Sequence, residues 1–323
     1  MLNTLQSGET LDHYRIERLV AEGGMAAIYR AVDMRNGMQV ALKVPHFAVE
    51  SDPVLFDRFK REEEIGKKLD HAGVMKVFDG GDRSQLYMVM EWVEGRLLRK
   101  VLSEEKKLPP ERAIAIALQI CEALEYIHGQ GVIHRDLKPE NVMLDSQDRV
   151  KLIDFGIAGS AGAKRLTFAK FTPSMGTPDY ISPEQVKSKR GDARSDLYAL
   201  GVMLYEMLTG ELPFEGPNPL VVLNHRLVNH PIPPRERDPQ ISPEIQEIIY
   251  RALEREPVNR YPSARHFAND LRNPESVAVR ERAELQDWQV RQSRKSKMPV
   301  FYATLALIPI TIMILLLMIA RHH

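Results

Sequence analysis

The chain is 323 residues long, enough to bury one large core or two smaller ones. Its 44 Lys and Arg residues balance its 44 Asp and Glu residues, which excludes a general nucleic-acid binder built on a concentrated basic face, so no nucleic-acid partner is expected. The single cysteine, Cys121, rules out an intrachain disulfide or a cysteine-built metal site and fits a reducing cytosol.

Residues 1–13 carry no signal-peptide pattern and read as a leading segment. From Tyr14 to about Met90 the texture is mostly strand. Tyr14 to Val20, Ala27 to Asp33 and Met38 to Val44 are short alternating or β-branched runs, and Asn36-Gly37 between the last two is a hairpin signal. A charged helix is predicted from about Pro53 to Leu69, entered through Ser51-Asp52. Strands near Met75 to Gly80 and Gln85 to Glu91 complete a small antiparallel sheet of five strands. Beyond Gly95 helices take over: Pro110 to Gly129, Pro183 to Val186, Ala193 to Leu208, Leu220 to Asn229, Ser242 to Leu253 and Ser263 to Asp270. Cys121 lies on the apolar face of the first of these and reads as core packing. The expected class is α+β, with two lobes meeting near residue 93, and ligands favour such a cleft.

Residues 273–298 mix charge with few large apolar side chains and read as a juxtamembrane linker. From Val300 to Ala320 there is no charge, and as a helix this run spans about 30 Å of hydrocarbon. A transmembrane helix is therefore expected over 299–320, with 321–323 as a short non-cytoplasmic tail. Arg291, Arg294, Lys295 and Lys297 precede it, so the large amino-terminal part is placed in the cytoplasm and the chain in the inner membrane as a single-pass protein.

The chemistry is concentrated in two strings. His134-Arg135-Asp136-Leu137-Lys138-Pro139-Glu140-Asn141 is followed, thirteen residues after the asparagine, by Asp154-Phe155-Gly156. Asp136 suits a group that accepts a hydroxyl proton, and Asn141 and Asp154 offer oxygen ligands to a hard cation such as Mg²⁺. That combination describes phosphoryl transfer from a nucleotide. Upstream, Val20-Ala21-Glu22-Gly23-Gly24-Met25-Ala26-Ala27-Ile28 lies between two predicted strands, where small residues let backbone N–H groups approach phosphate oxygens. Taken alone it fits a plain hairpin equally well. Lys43, among apolar strand residues, needs a partner that a phosphate and a helix carboxylate would supply. Glu62 is preferred over its neighbours Glu63 and Glu64 only through the resemblance that follows.

These motifs resemble those of the bacterial eukaryotic-type (Hanks-type) Ser/Thr protein kinases, in their membrane-anchored group. The resemblance covers about residues 10 to 272. It also rests on Arg58-Phe59-Lys60-Arg61-Glu62, Val89-Met90-Glu91, Gly176-Thr177-Pro178-Asp179-Tyr180-Ile181-Ser182-Pro183-Glu184, Asp192-Ala193-Arg194-Ser195-Asp196-Leu197-Tyr198 and Asn259-Arg260-Tyr261. It implies a bilobal kinase domain over 14–272, with a small lobe at 14–92 and a large lobe at 93–272. ATP, Mg²⁺ and proteins bearing Ser or Thr are the implied ligands and substrates, and the bilayer is a partner through 299–320. By the same resemblance Lys43 binds the α/β-phosphates and pairs with Glu62, Asp136 is the base, Lys138 neutralises the transferring group, and Asn141 and Asp154 hold Mg²⁺. Val20 to Ile28 would cover the phosphates, Ala41 and Met143 would flank the adenine, Met90 would be the gatekeeper, and backbone groups of Glu91 and Val93 would hold the ring.

Lys138 and Thr177 are what Ser/Thr-specific members show. Glu184 and Arg260 are expected to form a buried ion pair, and Asp196 to support the catalytic loop. Arg135 implies a phosphate on the activation segment, where Ser160, Thr167, Thr172 and Ser174 are candidates. Autophosphorylation at Thr172 or Thr167, in trans within a homodimer, is the expectation. The chain departs from the family at Ala21 and Ala26, where glycine is usual, which implies a loop that is stiffer or set differently over the phosphates. A pseudokinase scaffold is disfavoured by the intact Lys43, Asp136, Asn141 and Asp154. A small-molecule phosphotransferase is disfavoured by the peptide-docking features at 176–178 and 182–184.

Overall fold

A computed structural model describes residues 5–154, 179–280 and 282. Residues Met1–Ala278 form one compact unit and Val279–His323 a second, and the architecture below is that of the first. Its amino-terminal lobe is an antiparallel sheet of β1 (Thr10–Leu11), β2 (Tyr14–Glu22), β3 (Ala26–Asp33), β4 (Gln39–Pro45), β5 (Val77–Phe78) and β6 (Met88–Glu91), in the order β1-β2-β3-β4-β6-β5. There are six strands where five were expected. The sixth, β1, pairs Thr10 with Arg15 and Leu11 with Tyr14, and at two residues it is too short to show a period.

Strand alternation sends successive side chains to opposite faces, and both faces of this sheet are covered. Tyr14, Ile16, Tyr29, Ala31, Val40 and Leu42 belong to one apolar cluster. Ala41, Met88 and Met90 belong to another, closed by Phe59. Phe59 comes from α2 (Pro53–Gly66), which follows a short α1 (Phe47–Ser51) that sequence reading did not separate from the strand end. The Asp52 carboxylate caps α2 by accepting from the Val54 and Leu55 amides at 2.8 and 3.3 Å, so this start is the expected one. The helix ends at Gly66 rather than Leu69. A Cβ at Gly66 would stand 2.4 Å from Val77 Cγ2, so glycine is what lets the helix end press against β5.

The larger lobe begins with β7 (Arg96–Leu97) and α3 (Leu98–Glu105), and α4 (Pro110–Gly129) follows. After α4 come β8 (Val142–Leu144) and β9 (Val150–Leu152), then α5 (Pro183–Val186), α6 (Ala193–Thr209), α7 (Pro219–Val228), α8 (Pro234–Arg237), α9 (Pro243–Ala252) and α10 (Ala264–Arg272). Two expectations need correction. This lobe is not purely helical, because β7, β8 and β9 form a three-stranded antiparallel sheet facing the cleft. Its strands of two or three residues carry no legible alternation. Helices α3 and α8 were also missed, since neither has a side-chain cap to announce it.

Helix α6 is the axis of this lobe: every residue from Ser195 to Leu208 is buried. With Ile116, Ile120 and Leu124 of α4 and Ile248 and Ile249 of α9 it forms the main core, where each large aliphatic side chain contributes ~1.5–3 kcal/mol. The lobes are stitched together beside the cleft. The Met75 amide donates to the Leu152 carbonyl at 2.9 Å and the Leu152 amide to the Gly73 carbonyl at 2.8 Å. Among the described residues no helix is long and apolar enough to cross a membrane, and the segment expected to do so, 299–320, lies outside them.

Candidate active site

The loop from His134 to Asn141 joins α4 to β8, and a buried carboxylate holds its shape. Asp196, on the first turn of α6, accepts the His134 amide at 2.9 Å, the Arg135 amide at 2.8 Å and the His128 Nε2 at 2.8 Å. Arg135 itself is in the left-handed region at φ 64°, a conformation that costs a non-glycine residue about 1–3 kcal/mol. Asp196 offsets that cost, helped by Gln185 of α5, whose Nε2 donates to the Arg135 carbonyl at 3.1 Å. The turn then presents Asp136 at the cleft, its side chain half exposed. Lys138 Nζ donates to Asp136 Oδ2 at 2.7 Å, and Asn141 Nδ2 donates to the Asp136 carbonyl at 2.7 Å and to Oδ2 at 3.1 Å. Three of the predicted residues are thus one hydrogen-bonded cluster.

Asp154 is brought beside it by the Ile153 amide, which donates to the Asn141 carbonyl at 3.0 Å. It too is left-handed, at φ 52°. Across the cleft, Lys43 on β4 donates to Glu62 Oε1 at 2.6 Å and to Asp154 Oδ1 at 2.8 Å. This separates the three adjacent glutamates: Glu62 takes the lysine, Glu64 is exposed, and Glu63 turns away to ion pairs with Arg83 and, at 2.9 Å, Lys67. Burial works against the Lys43 charge, but Asp154 and Glu62 outweigh it and hold the ammonium above its ordinary pKa. Burial pushes Glu62 up despite Lys43, whereas at Asp154 the Lys43 cation overrides burial and holds the carboxyl below its usual range. A carboxylate oxygen of Asp154 and the amide oxygen of Asn141, whose NH₂ is spent on Asp136, make a hard-oxygen set that fits Mg²⁺.

The residues expected to flank the adenine come from strands of both lobes. Ala41 and Met90 are direct cross-strand partners, both buried, and Met143 of β8 stands opposite Leu97 and Lys151 in the lower sheet. The Glu91 amide donates to the Lys76 carbonyl at 2.9 Å, so only the Glu91 carbonyl and Val93 remain from the expected adenine contacts. The Val20–Ile28 turn is a tight hairpin in which the Gly23 amide donates to the Ala26 carbonyl at 3.0 Å. Ala21 and Ala26 stand where the backbone asks for nothing that alanine cannot adopt. Both are strand residues, paired with Ile28 and Pro45, and neither has positive φ. Gly23 and Gly24 are not left-handed either, and a Cβ on Gly24 would meet nothing within 4 Å. The fold places no demand for glycine there, and what glycine leaves is backbone open to an approaching anion.

A family model described as the protein kinase domain matches residues 14–271. The chain belongs to the protein kinase domain family. A probable serine/threonine-protein kinase of Streptomyces coelicolor is 41% identical over 263 residues, which cover 80% of this chain and 39% of that protein. The serine/threonine-protein kinase PknB of Mycolicibacterium smegmatis is 37% identical over 265 residues, 80% of this chain and 42% of its own. The chain therefore spans less than half the length of these curated relatives. Among solved structures, the PknI kinase domain of Mycobacterium tuberculosis matches with a TM-score of 0.66 and 28% identity, covering 84% of this chain and all of that one.

The bracing pair expected of this kinase domain is present. Arg260 donates to both oxygens of Glu184 at 2.8 and 2.6 Å, with its side chain wholly buried and stacked 4.8 Å from the Tyr198 ring. Ser195 Oγ also donates to Glu184 at 2.6 Å. Burial alone would raise the Glu184 carboxyl, but Arg260 and Ser195 hold it below its ordinary value. Phe155, Gly156, Thr177 and the candidates Ser160, Thr167, Thr172 and Ser174 lie outside the described residues. Sequence reading missed His128 and Gln185, which help set the catalytic loop, and Lys151, whose Nζ donates to Glu91 at 2.7 Å. These are long-range pairs of ordinary surface-type residues, and no local pattern announces them.

Proposed function

We propose that this chain is an ATP-dependent Ser/Thr protein kinase. The observation that carries the reading is the constellation of Lys43 held between Glu62 and Asp154, facing Asp136 held by Lys138 and Asn141. In the reaction a Ser or Thr hydroxyl oxygen bonds to the γ-phosphorus of ATP, the bond from that phosphorus to the β–γ bridging oxygen breaks, and ADP leaves. Asp136 orients the hydroxyl and takes its proton. Lys138 lies against the carboxylate and meets charge on the transferring phosphoryl group, while Lys43 positions the α/β-phosphates. Asn141 and Asp154 would hold Mg²⁺, which when bound neutralises phosphate charge. Ala41, Met90, Met143 and the backbone of Glu91 and Val93 enclose the adenine, under the hairpin Val20 to Ile28.

Burial and, after it, the positive charge of Arg190 depress the pKa of Arg135, a setting that favours an anion. A phosphate on Thr172 or Thr167, added in trans within a homodimer, supplies one and orders the segment. The kinase domain spans 14–272, the linker 273–298, and the bilayer is crossed by 299–320 with the domain in the cytoplasm. These rest on the uncharged run and the basic residues before it. Incubation of the purified chain with labelled ATP and Mg²⁺, followed by acid hydrolysis and separation of phosphoamino acids, tests the reading. Label on phosphoserine or phosphothreonine is expected; label only on phosphotyrosine, or on a small molecule, would overturn it.

A further inference from the structure

Arg18 and Arg30 are direct partners across the β2–β3 ladder, a placement that like-charge repulsion disfavours. What reconciles them is a shared ring. Their guanidinium carbons lie 5.7 and 5.0 Å from the centroid of Trp92, inside the distance of about 6 Å at which a cation is drawn to an aromatic ring. Carboxylates complete the group. Arg30 pairs with Glu17 at 2.8 Å and with Glu94 at 3.6 Å, and Trp92 Nε1 donates to Glu94 Oε1 at 2.8 Å. Trp92 also packs, partly buried, against the apolar cluster of Ala41, Met88 and Met90.

The position of this group gives it consequence. Arg18 precedes Val20 and Arg30 follows Ile28, so the two cations sit on the two stems of the hairpin that covers the phosphates. Trp92 lies between Glu91 and Val93, the connector whose backbone meets adenine. Exposed ion pairs alone would contribute little. A ring packed against the core and drawn to two cations on opposing strands is a more specific link. We propose that Arg18, Arg30 and Trp92, with Glu94, form a positioning clamp that fixes the phosphate hairpin against the inter-lobe connector and so sets the spacing of the nucleotide pocket. None of the four transfers a proton or touches the reacting atoms. The proposal rests on the kinase reading for its ligand, and it predicts an effect on nucleotide affinity rather than on turnover.

Trp92 and Trp288 are the chain's only tryptophans, so Trp288→Phe in the full chain leaves Trp92 as the sole indole. In that background, fluorescence titration with a non-hydrolysable ATP analogue gives Kd, and steady-state transfer gives KM and kcat. Arg18→Ala/Arg30→Ala is expected to raise Kd and KM for nucleotide about tenfold, equivalent to ~1.4 kcal/mol, and to red-shift Trp92 emission before nucleotide is added. The same variant should keep kcat within about twofold at saturating ATP. Arg18→Lys/Arg30→Lys, which keeps both cations, should recover most of the affinity. Unchanged Kd and emission in the alanine variant would overturn the clamp, as would a fall in kcat and melting temperature with Kd unmoved. A parent chain that binds the analogue but transfers no phosphate would sink the transferase reading while the affinity comparison still decides the clamp. A parent that binds no nucleotide would overturn both.

Discussion

Three glutamates stand in a row at 62–64, and only the first meets Lys43. Glu62→Gln removes a charge-assisted bond made within the site and is expected to lower kcat/KM about tenfold to a hundredfold in a steady-state phosphorylation assay. Glu63→Gln loosens an ion pair with Arg83 and Lys67 away from the cleft, so its effect should appear in melting temperature and leave kcat/KM within about threefold. Equal losses in the two variants would contradict the assignment. The Glu184–Arg260 pair makes a second prediction at this scale. Arg260→Ala leaves a buried carboxylate without its cation and should cost about 3–5 kcal/mol in a denaturant titration. The pH dependence follows from the depressed Glu184 pKa. Its stabilisation is complete above the ordinary carboxyl value of 4.5 and is lost as pH falls through the lower folded value, so stability measured downward from pH 5 should decline. A flat profile over that range would speak against the pair. Lys43, Asp136, Asn141 and Asp154 were legible because their spacing is a fixed motif, whereas Arg18, Arg30, His128 and Lys151 have meaning only once strands and helices bring them across the fold.

Among the elements, legibility followed the strength of the local signal: α5, four residues opened by Ser182-Pro183, was expected with its exact bounds, while eight-residue α3 was missed. Helix α4 was placed to the residue at both ends because twenty residues of apolar period and a leading Pro110 leave little freedom. The sheet of β7, β8 and β9 was invisible, since its strands are shorter than one clear alternation, and β1 was missed for the same reason. These short pieces still position the site. The chain leaving the connector passes over β8 so closely that a Cβ on Gly95 would lie 2.4 Å from the Leu144 carbonyl oxygen, which is backbone and unable to swing aside. Gly95→Ala should therefore shift the connector and destabilise the chain by about 1–3 kcal/mol, as overpacking does, with KM for ATP rising in parallel. A variant with parental melting temperature and KM would show that the passage is looser than this geometry.

For the whole molecule, two lobes joined beside a cleft bring residues from β4, α2, the catalytic loop and the end of β9 within hydrogen-bonding distance. The protein kinase domain accounts for 14–271. The reading beyond it rests on the uncharged run from Val300 to Ala320. The full chain is expected in the membrane fraction, and residues 1–298 in the soluble fraction with phosphorylating activity retained. Recovery of both in the soluble fraction would remove the anchor. The most direct test of the central claim is transfer of label from ATP with Mg²⁺ by the full chain, side by side with Asp136→Asn. Labelled protein Ser or Thr is expected from the parent and a loss of about a thousandfold or more in the variant, since the proton acceptor is gone while nucleotide binding remains. Equal transfer by both would contradict it.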